Sequence, residues 1–141
     1  MVEPNQEAPL GYKILKEGQA NLLYIEEKAE RDDQGMIKNA TGSLRQANEV
    51  NENRGAVFYN PVQEFNRDTS ILVINEFNDL LKEERAVKNK EHEGIRVFEA
   101  LAATGLRSVR YMKEIPSITK LVGNDIDKAA TDLMTKNFEF N

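Results

Sequence analysis

The 141-residue chain contains no cysteine. That excludes disulfides and thiolate metal sites, and it fits an intracellular protein. Long apolar runs are missing too. The strongest, Ile71–Ile74, is four residues long, against the roughly 20 that a membrane helix needs. The first residues, Met1–Glu7, carry neither a basic region nor an apolar one, so no secretory signal is expected there. Without export, the sequon Asn39-Ala40-Thr41 has no meaning. No arginine precedes Arg31, which speaks against a mitochondrial transit peptide. The expected location is intracellular, nucleus or cytoplasm, with a mitochondrial form left open. Histidine is nearly absent: His92 stands alone between glutamates and reads as a surface residue, so no metal is expected. Positive charge is in deficit, with a net charge of −5 at pH 7. A nucleic-acid binder usually carries a basic patch. Any nucleic-acid contact must therefore be local or lie outside these residues.

What is present is an ordinary soluble composition, 40% hydrophobic and 30% charged, in a length that suits one domain. Tyr12, Ile14 and then Leu22–Ile25 alternate or cluster around Glu17-Gly18-Gln19, which predicts two short strands about a turn. Residues 30–55 are polar and predict a long loop. Order resumes at Val57-Phe58-Tyr59, and Asn60-Pro61 marks a turn. A helix follows, with Asp68 as its N-cap. Ile71, Ile74, Phe77 or Asn78, and Leu81 define its apolar face, widened by Leu72, Val73 and Leu80. It ends in solvent at Lys82–Arg85.

Residues 95–101 then predict a strand, Ala102–Gly105 a small-residue turn, and 106–114 a short helix stopped by Pro116. Residues 120–124 predict a second strand, and Asp125-Ile126-Asp127 opens a helix reaching about Asn137. Strand, helix, strand, helix at this spacing predicts a right-handed parallel βαβ unit.

The chemistry falls at the strand ends, where open α/β sheets bind ligands. Glu99 lies near the end of the first strand. Gly105 follows at a turn into a helix, and Asp125 stands after the second strand. A nucleoside suits this arrangement: the glycine admits close approach, and the carboxylate accepts ribose hydroxyls. Only one glycine stands where the dinucleotide fingerprint Gly-x-Gly-x-x-Gly has three. That disfavours a dehydrogenase, whereas S-adenosylmethionine has no pyrophosphate to cradle. The simpler reading is a βαβ unit in which Gly105 serves turn geometry and Asp125 caps a helix.

Four stretches carry a family resemblance. Val57-Phe58-Tyr59-Asn60-Pro61 through Asn66-Arg67-Asp68 resembles a signature of the tRNA guanosine N2-dimethyltransferases. Glu99 through Arg110 resembles that family's methyltransferase motif I. Asn124-Asp125-Ile126 resembles its acidic motif after the next strand, and Glu17-Gly18-Gln19-Ala20 its Glu-Gly-x-Ala element. They occur in the family's order and span most of residues 14–141.

The resemblance implies an α/β fold: an incomplete Rossmann-like class I methyltransferase domain over residues 57–141. A small β-containing N-terminal segment, residues 1–56, precedes it. It also implies a cofactor, S-adenosyl-L-methionine, and a partner, tRNA, whose guanosine between the D and anticodon stems would be methylated on its exocyclic amine. Asp125 would hold the ribose hydroxyls, with Ile126 and Gly105 beside it. Arg67 and Arg107 would meet the methionine carboxylate, since a guanidinium can pair bidentately. Glu99 would face the methionine amino group or simply end a strand. Phe58 would stack beside the target base or serve as a core aromatic. Arg67 could instead pair with Asp68 or Glu64, and Arg107 could be a solvated first-turn residue, as Arg110 is expected to be.

The family's catalytic Asp-Pro-aromatic-Gly motif has no counterpart, because no Asp-Pro occurs. The expectation is a fragment, a truncated gene model or a short isoform, inactive by itself, with Leu133 and Phe138 partly exposed. The alternatives are another nucleoside-binding enzyme, such as a dehydrogenase, and a non-catalytic truncated isoform.

Overall fold

The structure, a computed structural model, describes residues 7–25, 57 and 59–141. The expected polar loop at 30–55 and Phe58 lie outside them. The chain runs β1 (Lys13–Glu17), β2 (Ala20–Tyr24), α1 (Glu64–Val87), β3 (Ile95–Glu99), α2 (Leu106–Glu114), β4 (Ile118–Gly123) and α3 (Lys128–Phe140). This is an α/β protein, and the expected order of elements holds from the hairpin to the last helix.

β1 and β2 form an antiparallel hairpin, with Leu15 opposite Leu22 and Glu17 opposite Ala20. β3 and β4 run parallel, as the intervening α2 requires. Val97 pairs with Leu121 and Glu99 with Gly123, and the register shifts between Ile95 and Arg96. Backbone bonds carry the pairing past both strand ends, from Asn124 N–H to Glu99 O at 2.8 Å and from Ala102 N–H to Asn124 O at 2.9 Å.

Helix α1 starts earlier than expected and ends later. Asn60 accepts a hydrogen bond from Val62 N–H, and a 3-10 turn at Pro61–Gln63 runs straight into α1. Proline suits a first turn, where its missing N–H costs nothing. Asp68 is therefore inside the helix and not its cap; its carboxylate is 2.6 Å from Arg110 Nη1. One face of α1, with Ile71 buried and Ile74 and Leu81 half-buried, packs with Ile95, Tyr111, Ile115 and Ile118. Leu72, Val73 and Leu80 do not widen that face. They are 70%, 60% and 56% exposed and point outward with Phe77. Only one side of α1 meets the rest of the chain among the described residues. Of the alternatives at that turn, Asn78 is the buried one.

Helix α2 is the hub. Tyr111 joins the cluster against β3 and β4. Leu106 and Val109 pack on the hairpin residues Ala20 and Leu22, with Leu15 and Tyr59 at the margin. A helix covered on two sides has few polar positions to spare, and five of its nine residues are buried, Arg110 among them.

Helix α3 closes the hairpin's outer edge. Asn137, fully buried, accepts from Leu23 N–H at 2.7 Å and donates to Leu23 O and Thr104 O. One turn later Asn141 accepts from Asn21 N–H and donates to Asn21 O, both at 2.8 Å. Leu133 is buried, against expectation, because α3 packs on β2 and α2; Phe138 remains 40% exposed. His92 is half-buried, and its Nε2 lies 2.7 Å from Asn78 Oδ1, so the expected surface position does not hold. No helix among the described residues is long and apolar enough to cross a membrane.

Candidate functional site

The carboxyl ends of β3 and β4 lie side by side, and the segments leaving them fold toward each other. After β3 the chain turns through Ala102–Gly105 into α2. Gly105 has φ +76° and stands directly before the helix. A Cβ there would come within 2.6 Å of Met134 Cγ, so conformation and space both require glycine. Ala103 is also left-handed, at φ +46°, an uncommon conformation for a residue with a Cβ.

Asp125 holds that turn. Its Oδ2 accepts from Ala103 N–H at 2.8 Å, and its Oδ1 accepts from Asp127 N–H at 3.0 Å. Asp125 does not cap α3: Asp127 does, accepting from Ala129 N–H at 2.9 Å. Each oxygen of Asp125 thus holds one backbone N–H and keeps further acceptor capacity. Ile126 beside it is 96% exposed.

The other half of the site is made of side chains. Glu99 is nearly buried and accepts from the Ser108 hydroxyl, and Arg107 Nε stands 3.6 Å from its Oε1. Burial pushes the Glu99 carboxyl above its ordinary value, and the Ser108 hydrogen bond and the Arg107 charge oppose that only in part. Arg107 is not solvated. Nη1 donates to Ser70 Oγ at 2.7 Å and Nη2 to Asn66 Oδ1 at 2.6 Å, so α1 aims this guanidinium at Glu99.

Arg67 lies one residue after Asn66, on the adjacent side of α1, and is buried. It pairs with neither Asp68 nor Glu64. Nε donates to Glu17 Oε1 at 2.6 Å and Nη2 to Glu17 Oε2 at 2.5 Å. Nη1 and Nη2 each reach the Asn60 carbonyl at 3.3 Å, and the guanidinium stands 5.6 Å from the Tyr59 ring centre. Arg110, expected in solvent, is buried as well: Glu17, Asp68 and Glu114 surround it. These carboxylates push its pKa further up, against the effect of burial. The hydrogen bond from Arg110 pulls Glu114 below the usual carboxylate range, again against burial.

Sequence reasoning gave no role to Glu17, Ser108, Asn66 or Ser70. Glu17, Asn66 and Ser108 were visible as members of the resembling stretches, and Ser70 lies outside them; only the fold shows what these side chains face. Among the described residues no group of acidic residues and histidine could hold a metal ion.

An α/β protein with a glycine turn and a paired acidic residue at the ends of two parallel strands is the class that this geometry defines. The chain belongs to the N2,N2-dimethylguanosine tRNA methyltransferase family, whose model matches residues 38–141. Among its relatives, the tRNA (guanine(26)-N(2))-dimethyltransferase of Drosophila melanogaster is 37% identical, covering 70% of this chain and 22% of its own length. The mitochondrial enzyme of that name from Saccharomyces cerevisiae is 31% identical, covering 92% and 24%. The Methanosphaera stadtmanae protein of the same name is 38% identical, covering 62% and 20%. The chain thus spans about a fifth to a quarter of these relatives. They give the dehydrogenase alternative no support.

Proposed function

We propose that this chain supplies the first part of the cofactor-binding domain of a tRNA (guanine-N2)-dimethyltransferase that uses S-adenosyl-L-methionine. The observation that carries the reading is the coupling of Gly105, Ala103 and Asp125 at the ends of β3 and β4. The donor set fits the cofactor. Asp125 offers one acceptor oxygen to each of two neighbouring hydroxyls, Gly105 shapes the turn beside it, and Ile126 offers an apolar flank. Glu99 with Arg107 offers opposite charges where an amino acid's ammonium and carboxylate would lie, and Arg67 stands on the helix that walls that end. When bound, S-adenosylmethionine supplies the methyl group. These residues bind and orient it.

In this reading residues 57–141 begin an incomplete Rossmann-like domain, and residues 1–56 contribute the hairpin that packs on it. Phe58 would stack on the target base. Such stacking contributes about 1–3 kcal/mol per base. The partner is tRNA, at an intracellular site. No Asp-Pro occurs in these residues, so the group that positions the guanine amine is sought elsewhere in the full-length protein. The test is titration calorimetry of the full-length protein with S-adenosylhomocysteine, together with transfer of labelled methyl to unmodified tRNA. Binding lost on Asp125→Ala supports the reading; wild-type affinity in that variant refutes it.

A further inference from the structure

The Glu-Gly-x-Ala element is the one motif that the proposed function leaves without a task, and in the fold it is the tip of the hairpin. Glu17, its first residue, is 3% exposed. It enters between two buried arginines from different helices, with Oε1 bonded to Arg67 Nε at 2.6 Å and Arg110 Nη1 at 3.0 Å, and Oε2 to Arg67 Nη2 at 2.5 Å. The next residues fit only here. A Cβ on Gly18 would lie 2.3 Å from Glu114 Oε1 and 2.8 Å from Arg110 Nε, and Gln19 N–H donates to Glu114 Oε1 at 3.0 Å.

The two arginines are not equivalent. Arg110 has all three nitrogens engaged with carboxylates: Nε and Nη2 with Glu114, Nη1 with Glu17 and Asp68. It is an anchor. Arg67 gives its Nε–Nη2 edge to Glu17, while its Nη1 makes the long 3.3 Å bond to Asn60 O. Arg67 also shares its helix with residues that build one end of the site. Asn66 and Ser70, on the same helix, hold the Arg107 guanidinium that faces Glu99. Asp125, at the other end, is held by the backbone of Ala103 and Asp127.

We propose that Glu17 is a positioning residue for the amino-acid end of the cofactor: anchored by Arg110, it fixes the Arg67 guanidinium so that the Nη1 side meets the ligand's carboxylate. The inference rests on the S-adenosylmethionine reading above. A buried arginine without its carboxylate must find another partner or move. A guanidinium displaced by even an ångström loses its orienting value. Glu17 acts through Arg67 and touches no ligand itself. Its effect falls on ligands that carry the tail and spares those that do not.

The experiment compares two ligands on the full-length protein by titration calorimetry. S-adenosylhomocysteine has the amino-acid tail; 5′-methylthioadenosine has the same nucleoside and no tail. Glu17→Gln and Arg67→Lys each weaken S-adenosylhomocysteine about tenfold and change 5′-methylthioadenosine by less than about twofold, because only the carboxylate contact needs the placed fork. Glu17→Asp, one methylene shorter, lies between wild type and Glu17→Gln. In an Arg67→Ala background, Glu17→Gln has no further effect on S-adenosylhomocysteine. If Glu17→Gln does not yield folded protein, Glu17→Asp reads the same ligand comparison. Equal losses for both ligands, or full additivity with Arg67→Ala, overturn the proposal. Asp125→Ala weakens both ligands, so wild-type affinity in that variant sinks the cofactor reading and the proposal with it. A tail-specific effect absent at Glu17 but present at Arg67 sinks the proposal alone.

Discussion

The two ends of the candidate site are built differently. At Asp125 the parts are local: one carboxylate, two backbone N–H groups, and a turn already bent by Gly105. At Glu99 the parts are gathered from afar: Asn66 and Ser70 of α1 hold Arg107 of α2, Ser108 of α2 bonds Glu99, and on the same two helices Arg67 and Arg110 share Glu17 of the hairpin. The first end depends on how one strand is followed by one turn. The second exists only when three separate elements have packed. A lesion at the first stays in the site, whereas a lesion at the second reaches the fold.

Four predictions test that contrast. The largest effect is expected at Glu17→Ala, which leaves Arg67 and Arg110 buried without the carboxylate they share. Breaking such a buried pair costs about 3–5 kcal/mol, read as a large fall in the urea midpoint of the full-length protein. A loss under about 1 kcal/mol would mean that the hairpin tip is ornamental. Next comes Asn137→Ala. It strips Leu23 N–H, Leu23 O and Thr104 O of a partner at once and costs about 2–4 kcal/mol, since each buried orphan costs about 1–3 and α3 can shift to relieve some of it. Hydrogen exchange would speed up at Leu23 before it does so in β3.

Third, Asp125→Ala removes a charged acceptor from the local end. It weakens nucleoside binding by about tenfold or more, equivalent to about 1.5–3 kcal/mol, while the denaturation midpoint moves little. A drop in stability as large as that of Glu17→Ala would erase the contrast between the two ends. The smallest effect concerns pH. Glu99 has its pKa raised by burial. Below the ordinary glutamate value, about 4.3, it is protonated folded and unfolded alike. As pH rises from there through the raised folded value, the unfolded chain releases its proton first, and stability falls. Glu99→Gln should flatten that part of the stability profile. An unchanged slope would show that Glu99 is hydrated in the folded protein.

The local end was legible in the sequence, and the gathered end was not. Helix α2 falls at 106–114 as expected, because a left-handed glycine opens it and Pro116 follows it. The hairpin and the parallel pair were visible in alternation and spacing. Asp68 misled as a cap because its side chain answers to Arg110, which no local pattern reveals. Arg110 looked like a solvated helix residue, yet Glu17, 93 positions away, holds it inside. The outward turn of Leu72, Val73 and Leu80 was equally hidden. Periodicity shows that a helix has apolar residues, and only the neighbours decide which of them are covered.

The amides of Asn137 and Asn141 have a consequence beyond stability. They stand one helical turn apart on α3 and meet alternate residues of β2, each receiving an N–H and returning one to a carbonyl. That is the bonding a third strand would offer, supplied by side chains of a helix. That edge of β2 is thereby closed to recruitment by another molecule. With either asparagine replaced by alanine, β2 would present a vacant ladder to any extended chain nearby. Such a variant should form intermolecular sheet on warming at temperatures where the native chain still scatters no light.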